Sequence, residues 1–491
     1  MFSPGVRKVL DIINAAGREA YVVGGAVRDL LLGREPKEFD VCTDACPREV
    51  LTLAAENRIK AFKKGAAFGV TSWILDDEEI EIATFRTELY GNDAHRPEKV
   101  EFVWALEDDL ARRDFTVNAI AMRADGSIVD PFEGRADLQA GVLRAVGDPE
   151  ERFGEDALRM FRACRFVAEY GFTLDPETKA AIPRALQRVA GLSVERVRDE
   201  VYRTLMAEHA AAGLELMRET GLLAADCRGR VNGADTVVSV LPELARLAGV
   251  AQNPEYHQFD VWEHTLRVVE NVPAEPVLRW AALLHDTAKG LPEVRGTNRR
   301  GLPTDYGHAR KGAQITGRVM ERLRFPPTFA RRVTWLVRNH MRFPELEERF
   351  VRRWLKSLAP DFHSRQELLE AVGECLVLRR ADLLGGKVDT LAVLDGNERL
   401  AEMVKDIMWR VPFYPEDLAI TGGEVAALVG RGPQVKQVME DLVVRVQGGQ
   451  LDNRPVVLKE AVEKKVWRRK VAAGGRGPGG GRKAPRDRPP S

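Results

Sequence analysis

No stretch of this chain carries the roughly 20 consecutive apolar residues that a membrane-spanning helix needs, so no membrane association is expected. The N-terminal segment "MFSPGVRKVLDIINAAGREA" reads as an amphipathic helix. It lacks the apolar core and small-residue cleavage site of a secretory signal. Cysteine is scarce: Cys42, Cys46, Cys164, Cys227 and Cys375 form no CxxC pair, and Cys42 and Cys46 have no third cysteine nearby to complete a metal set. Reduced thiols in a cytoplasmic protein are the expectation. Neither sign of charge is in excess, with 74 basic and 74 acidic residues. Bulk charge therefore makes no case for a nucleic-acid partner, and local charge must carry it. What remains is 491 residues, 44% hydrophobic and 30% charged, the composition of a folded protein of roughly two to four domains.

Strand signals concentrate at the front. "AYVVGG", "FDVCT", "GVTSWIL", "EIEIATF" and "IVDPF" are short β-rich runs bounded by turn residues. Beyond about residue 141 helical periodicity takes over, as in "DALRMFRACRFVAEYGF" and "SVERVRDEVYRTLMAEHAAAGLELMRETGLL". A loop-rich stretch at 225–258 leads into a helical region that holds most of the histidines. The expected divisions are an α/β head at 1–140, a helical segment at 141–225, a histidine-bearing region at 226–385, further helices at 386–465, and a disordered basic tail at 466–491. The GxGxxG at 475–480 in that tail follows no strand and is not read as a nucleotide fingerprint.

Two places concentrate chemistry. The first is "YVVGGAVRDLLLGREPKEFDVCTDA", read as strand, glycine turn, short helix and second strand, with Glu38 and Asp40 on one face of that strand. Glu79 and Glu81 alternate with Ile80 and Ile82 in a later strand, so Glu81 could complete a three-carboxylate site for hard divalent cations. A solvated acidic strand edge is the competing reading. Gly24 and Gly25 would let backbone approach a phosphate, and Arg28 would supply a positive fork. The second is the ordered set His264, His285-Asp286, His308, His340 and Asp382, whose donors suit transition metals or Mg²⁺.

These motifs resemble the class II tRNA nucleotidyltransferases, the CCA-adding enzymes. The likeness rests on Gly24-Gly25-x-Val27-Arg28-Asp29 followed by the acid pair, "RRDFTVNAIAM", "EDALRMFRACRF", "DLAITGGEVAALVG" and "LDNRPVVLKEAV". It implies an α+β fold: a small polymerase β-like head of mixed sheet and helices, then an all-α neck, an HD domain and C-terminal tRNA-binding helices. It implies nucleotidyl transfer with Mg²⁺ on Glu38, Asp40 and Glu81, and nucleotide contacts from Gly25, Arg28, Arg113, Asp114, Asp156, Arg159 and Arg162. Asp114 also reads as a helix N-cap. Asp156 and Arg159, three apart on a predicted helix, offer the acceptor and donor that match the edges of C and A; an ordinary i,i+3 ion pair is the alternative. The stretch 86–102 resembles the family's flexible loop. The histidine set resembles an HD phosphohydrolase centre, with Ni²⁺, Mn²⁺ or Mg²⁺ on His264, His285, Asp286 and Asp382, and His308 and His340 serving a second ion or the substrate. The implied partners are tRNA, ATP and CTP; monomer and dimer both stay open. The family normally has Asp-x-Asp, whereas the first acid here is Glu38. That departure leaves open an HD hydrolase with a weakened head; within the family, CC- or A-addition alone and poly(A) synthesis are the alternatives.

Overall fold

The computed structural model describes residues 2–65, 69–75, 77–90, 97–231, 233–387 and 390–472. Of the flexible-loop segment 86–102, residues 91–96 lie outside it, as do residues 473–491 of the tail with its GxGxxG; residues 466–472, expected in the disordered tail, instead continue the helix Pro455–Ala472. The chain divides into two compact units, Met1–Met341 with Arg380–Val388, and Arg342–Arg379 with Asp389–Ser491.

The first unit opens with the helix Pro4–Ala15. Ser3 caps it by accepting from the Val6 amide at 3.1 Å, and Val6, Val9, Leu10 and Ile13 form its buried stripe. The head strands are β1 (Ala20–Val23), β2 (Asp40–Thr43), β3 (Lys60–Gly65), β4 (Val70–Leu75), β5 (Glu78–Thr84), β6 (Arg86–Tyr90), β7 (Pro97–Phe102), β8 (Ala121–Met122) and β9 (Ile128–Val129). Seven of them form one mixed sheet in the order β3-β4-β5-β2-β1-β8-β9, while β6 and β7 make a separate hairpin. Strand β2 is central: antiparallel to β1 and parallel to β5. In β5 Ile80 and Ile82 are fully buried while Glu79 and Glu81 face outward. On one side the sheet carries a core of Tyr21, Val23, Cys42, Phe85, Leu106 and Leu110.

The neck packs the helices Leu158–Tyr170, Val194–Met206 and Ala210–Glu219. At Gly213 they approach closely: a Cβ there would stand 2.7 Å from the Cys164 carbonyl and 2.7 Å from Thr204 Cγ2. Arg165 and Glu200, both buried, tie the first two helices at 2.7 Å. One feature of the 225–258 stretch differs from the loop expected there: Asp226–Val231 and Ala234–Ser239 pair as an antiparallel hairpin. The Asn-Gly at 232–233 is the turn signal that could have revealed it.

The second unit has its own core of Leu418, Ile420, Val425, Val438, Leu442 and Leu458. Its helix Gly422–Val429 starts with a reciprocal cap, in which the Thr421 amide donates to Glu424 at 2.9 Å and the Glu424 amide to Thr421 Oγ1 at 3.2 Å.

Glu200→Ala would remove one of the two carboxylates that hold the buried Arg165 guanidinium, leaving it Glu169 at 2.7 Å. It is expected to cost about 2 kcal/mol, seen as a lower thermal midpoint, whereas Glu200→Gln, which keeps an acceptor, should cost less. Equal midpoints for all three proteins would contradict this account of the neck.

Candidate active sites of the head and the histidine centre

In the head, Gly24 adopts φ +71° and starts the helix Gly25–Leu31, so the chain turns directly from β1 into that helix. A Cβ at Gly24 would meet Arg113 Nη1 at 2.9 Å. Asp40 opens β2 and pairs in register with Glu81 on the parallel neighbour β5. Glu38 was expected on the same strand as Asp40; it lies instead in irregular chain just ahead of it, exposed. The pleat therefore does not fix its direction. Asp40 is exposed to solvent at the start of β2, yet the groups crowded around its carboxyl shield it enough to push it above its usual range; Arg113 opposes this, and Glu81 and Glu38 add to it. Such crowding of carboxylates is what a divalent cation relieves. Sequence reasoning missed Lys64, which donates to Glu79 at 2.9 Å and Glu81 at 2.6 Å and holds Glu81 in its outward position.

Arg28 was expected to supply a positive fork. It is buried, donating to Asn118 Oδ1 at 2.6 Å and to Asp29 Oδ1 at 2.9 and 3.0 Å, and it lies over the rings of Tyr170 and Phe166. It thus ties the Gly25 helix to the neck. Asp114 is also buried and binds Arg162 at 2.6 and 2.9 Å, the Asn118 amide group and the Phe115 amide. Burial would raise its carboxyl, but Arg162 outweighs this and holds it far below the ordinary carboxylate range.

Asp156 and Arg159 do not share a helical face as the spacing predicted. Asp156 is extended (φ −134°, ψ 103°), ends the helix Pro149–Glu155 and caps the next by accepting from the Leu158 amide at 2.9 Å. Arg159 donates to the carbonyls of Arg152 at 2.9 Å and Arg112 at 2.8 Å and to Glu155. The structure nevertheless brings "RRDFTVNAIAM" and "EDALRMFRACRF" together, through Arg159 to Arg112 and Arg162 to Asp114.

The histidine centre draws its residues from five segments. His264 lies on Val261–Asn271, His285 and Asp286 follow Pro276–Leu284, His308 begins His308–Arg322, His340 ends Pro327–Asn339, and Asp382 lies near the end of Arg365–Leu384. Each Nδ1 faces a backbone carbonyl: His264 to Gly385 at 3.1 Å, His285 to Ala282 at 2.7 Å, His308 to Asp305 at 2.8 Å and His340 to Val337 at 2.7 Å. A carbonyl only accepts, so each Nδ1 carries the proton and each Nε2 offers a lone pair.

These four Nε2 atoms converge. His264 and His285 stand 3.4 Å apart, and His308 and His340 3.1 Å apart. Asp286 bridges the pairs, with Oδ2 3.1 Å from His285 and Oδ1 3.3 Å from His308; Asp382 lies 2.9 Å from His264. Opposed lone pairs at such separations need a cation between them, so the donor set fits metal. Two ligand groups result, His264/His285/Asp286 and Asp286/His308/His340. Burial, with His285 and His308 adding, pushes the His340 imidazolium down to about 3, so His340 is neutral near pH 7. Lys289, three residues after Asp286, was missed; it forms an ion pair with Asp286 at 2.7 Å and donates to Gln252 at 2.7 Å.

Three family models match the chain: the poly A polymerase head domain at 20–144, a probable RNA and SrmB-binding site of polymerase A at 171–225, and the HD domain at 255–384. Among curated proteins, the chain is 46% identical over 224 residues to a CCA-adding enzyme of Lactiplantibacillus plantarum, covering 45% of this chain and 52% of the relative. It is 45% identical over 222 residues to that of Geobacillus stearothermophilus, covering 45% and 54%. The chain thus spans about half the length of the curated relatives it matches. Among solved structures, the Bacillus stearothermophilus CCA-adding enzyme in complex with CTP aligns with a TM-score of 0.63 at 27% identity, over 96% of this chain and 100% of the other. An apo form of a CCA-adding enzyme aligns at 0.57 and 17% identity over 95% and 96%, a likeness of fold alone. A head of this type and an HD domain both imply use of a divalent metal.

Metal affinity at the histidine centre should weaken as pH falls, because protons compete with the ion for Nε2; His285, whose imidazolium Asp286 favours against its burial, takes a proton before His340, which is held down to about 3. Calorimetric titration with Mn²⁺ is expected to show this. Asp286→Asn, which removes the bridging charge, should lower affinity at least tenfold. Unchanged binding in Asp286→Asn would contradict the assignment.

Proposed function

We propose that this chain, which belongs to the class II tRNA nucleotidyltransferases carrying an HD domain, adds C, C and A from CTP and ATP to the 3′ end of tRNA in the cytoplasm. The observation that carries the reading is the register of Asp40 against Glu81 beside the Gly24-Gly25 turn. Asp40 and Glu81, joined by Glu38, would hold Mg²⁺ in the head; the four histidines with Asp286 and Asp382 would hold Mn²⁺, Ni²⁺ or Mg²⁺. Bound divalent ions supply activation of the attacking oxygen and stabilisation of charge on the phosphoryl group and its leaving oxygen.

The protein's own groups do the rest. In the head the tRNA 3′-oxygen attacks the α-phosphorus of the nucleotide and pyrophosphate leaves. The turn at Gly24-Gly25 brings backbone close to the triphosphate, and Arg113 beside it offers positive charge. Asp156 and Arg159 read the base edge, for which Arg159 exchanges one of its present acceptors for the base. Asp114 keeps Arg162 aligned in the same patch. Arg28 acts by fixing the glycine-turn helix against the neck. Because Glu38 sits in irregular chain, the backbone can take up its extra methylene, which favours a working head over a weakened one. At the HD centre the reading is hydrolysis of a phosphoester at an RNA end, such as a 2′,3′-cyclic phosphate, with His285 and then Lys289 holding Asp286 ionised against its burial.

Labelled CTP and ATP with Mg²⁺ and a tRNA ending at the discriminator base test this. Two additions with CTP alone and three with both nucleotides are expected, and Glu38→Asp should change the rate less than about threefold. No incorporation by the unaltered protein, with a large gain in Glu38→Asp, would favour the weakened head instead.

A further inference from the structure

Beside the histidine centre lies a cavity of about 290 Å³, at the lower end of the roughly 300–1,000 Å³ typical of ligand pockets. Its inner lining includes His308 and Lys289, the first a member of the metal-ligand set and the second bonded to Asp286. Its outer lining includes Tyr256, Tyr306 and Met341, which are 61%, 84% and 57% exposed.

Neither tyrosine sits on a loose loop. Tyr256 lies in a turn in which its own amide and that of His257 donate to the Asn253 carbonyl at 3.1 and 3.0 Å, while its carbonyl accepts from the Lys387 amide at 2.8 Å. Tyr306 lies between Asp305, whose carboxylate accepts from the Gly290 amide at 2.8 Å and Arg295 at 2.9 Å, and Gly307, which starts the helix His308–Arg322. Two anchored backbones thus hold two aromatic rings in water at the mouth of a pocket that reaches the histidine centre through His308. His257, also in the lining, has a buried Nδ1 with no partner among the described residues.

We propose that Tyr256 and Tyr306 form a base-stacking mouth, so that the HD pocket takes the terminal ribonucleoside of an RNA end, its phosphate directed inward toward Lys289 and the histidines. This rests on the phosphohydrolase reading and deepens it by naming what recognises the substrate. Stacking on an aromatic ring holds a base without regard to its identity and leaves the sugar-phosphate free to enter the pocket. A phosphoester without a base forgoes that contact. The site therefore discriminates by the presence of a nucleobase rather than by its sequence. Tyr256 and Tyr306 act in binding; they lie outside the metal-ligand set.

The test compares the full-length protein with Tyr256→Ala/Tyr306→Ala and Tyr256→Phe/Tyr306→Phe. One readout is Mn²⁺-supported hydrolysis of adenosine 2′,3′-cyclic phosphate against glycerol 1,2-cyclic phosphate, which has no base. The other is calorimetric binding of adenosine 3′-monophosphate. The alanine pair should raise KM for the adenosine ester by roughly tenfold or more, leave hydrolysis of the glycerol ester unchanged, and remove one binding event. The phenylalanine pair should behave as the unaltered protein. Equal loss on both esters would mean a structural role and would overturn the proposal, as would an unchanged KM for the adenosine ester. If the unaltered protein hydrolyses neither ester, the hydrolase reading fails. The binding event then decides the mouth by itself: lost in the alanine pair it stands, retained it falls.

Discussion

Asp40 and Glu81 stand side by side only because β2 and β5 run parallel in one register. Much of the head serves that pairing. The β4–β5 hairpin presents Glu81 with Ile80 and Ile82 locked beneath it. The antiparallel pairing of β1 with β2 delivers the Gly24 turn to the same end of the sheet, since Val23 lies opposite Asp40. A slip of one residue would send Glu81 into the core and Ile80 or Ile82 into solvent, so burial of the isoleucines and placement of the carboxylate are one constraint.

The histidine centre uses the same logic with different groups. There the backbone orients the ligands: four carbonyls take the four Nδ1 protons, and the Nε2 lone pairs are left aimed at one another and at Asp286. At the meeting of head and neck, by contrast, the arginines that the family resemblance marks as nucleotide contacts are already engaged. Arg28 with Asn118, Arg159 with Arg112, and Arg162 with Asp114 hold the motifs against one another. Their first contribution is to position those motifs.

How much of this was legible in the sequence depends on how local each feature is. The Ile/Glu alternation of β5, the double glycine and the spaced histidines are local patterns, and the structure places them as elements with those characters. Glu38 was read onto the strand because i and i+2 share a face, but where a strand begins depends on its partners, and β2 pairs only from Asp40 onward. Asp156 was read onto a helix because its spacing from Arg159 fits one; the chain instead breaks there, and the carboxylate serves as a cap. Lys64 and Lys289 were overlooked because their partners, Glu81 and Asp286, draw attention first, and a lysine shows its role only once its distances are known. The parallel pairing of β2 with β5 joins segments about 40 residues apart, and local periodicity carries no information on it.

The most direct test of the central pairing is single-turnover incorporation of labelled CTP into tRNA by Glu81→Gln and Glu79→Gln, measured beside the unaltered protein. The two residues lie on the same strand and the same face, and both bind Lys64, but only Glu81 is in register with Asp40. The account predicts that Glu81→Gln slows incorporation on the order of 100-fold while Glu79→Gln stays within a few-fold. The reverse order, or equal losses in the two variants, would contradict it.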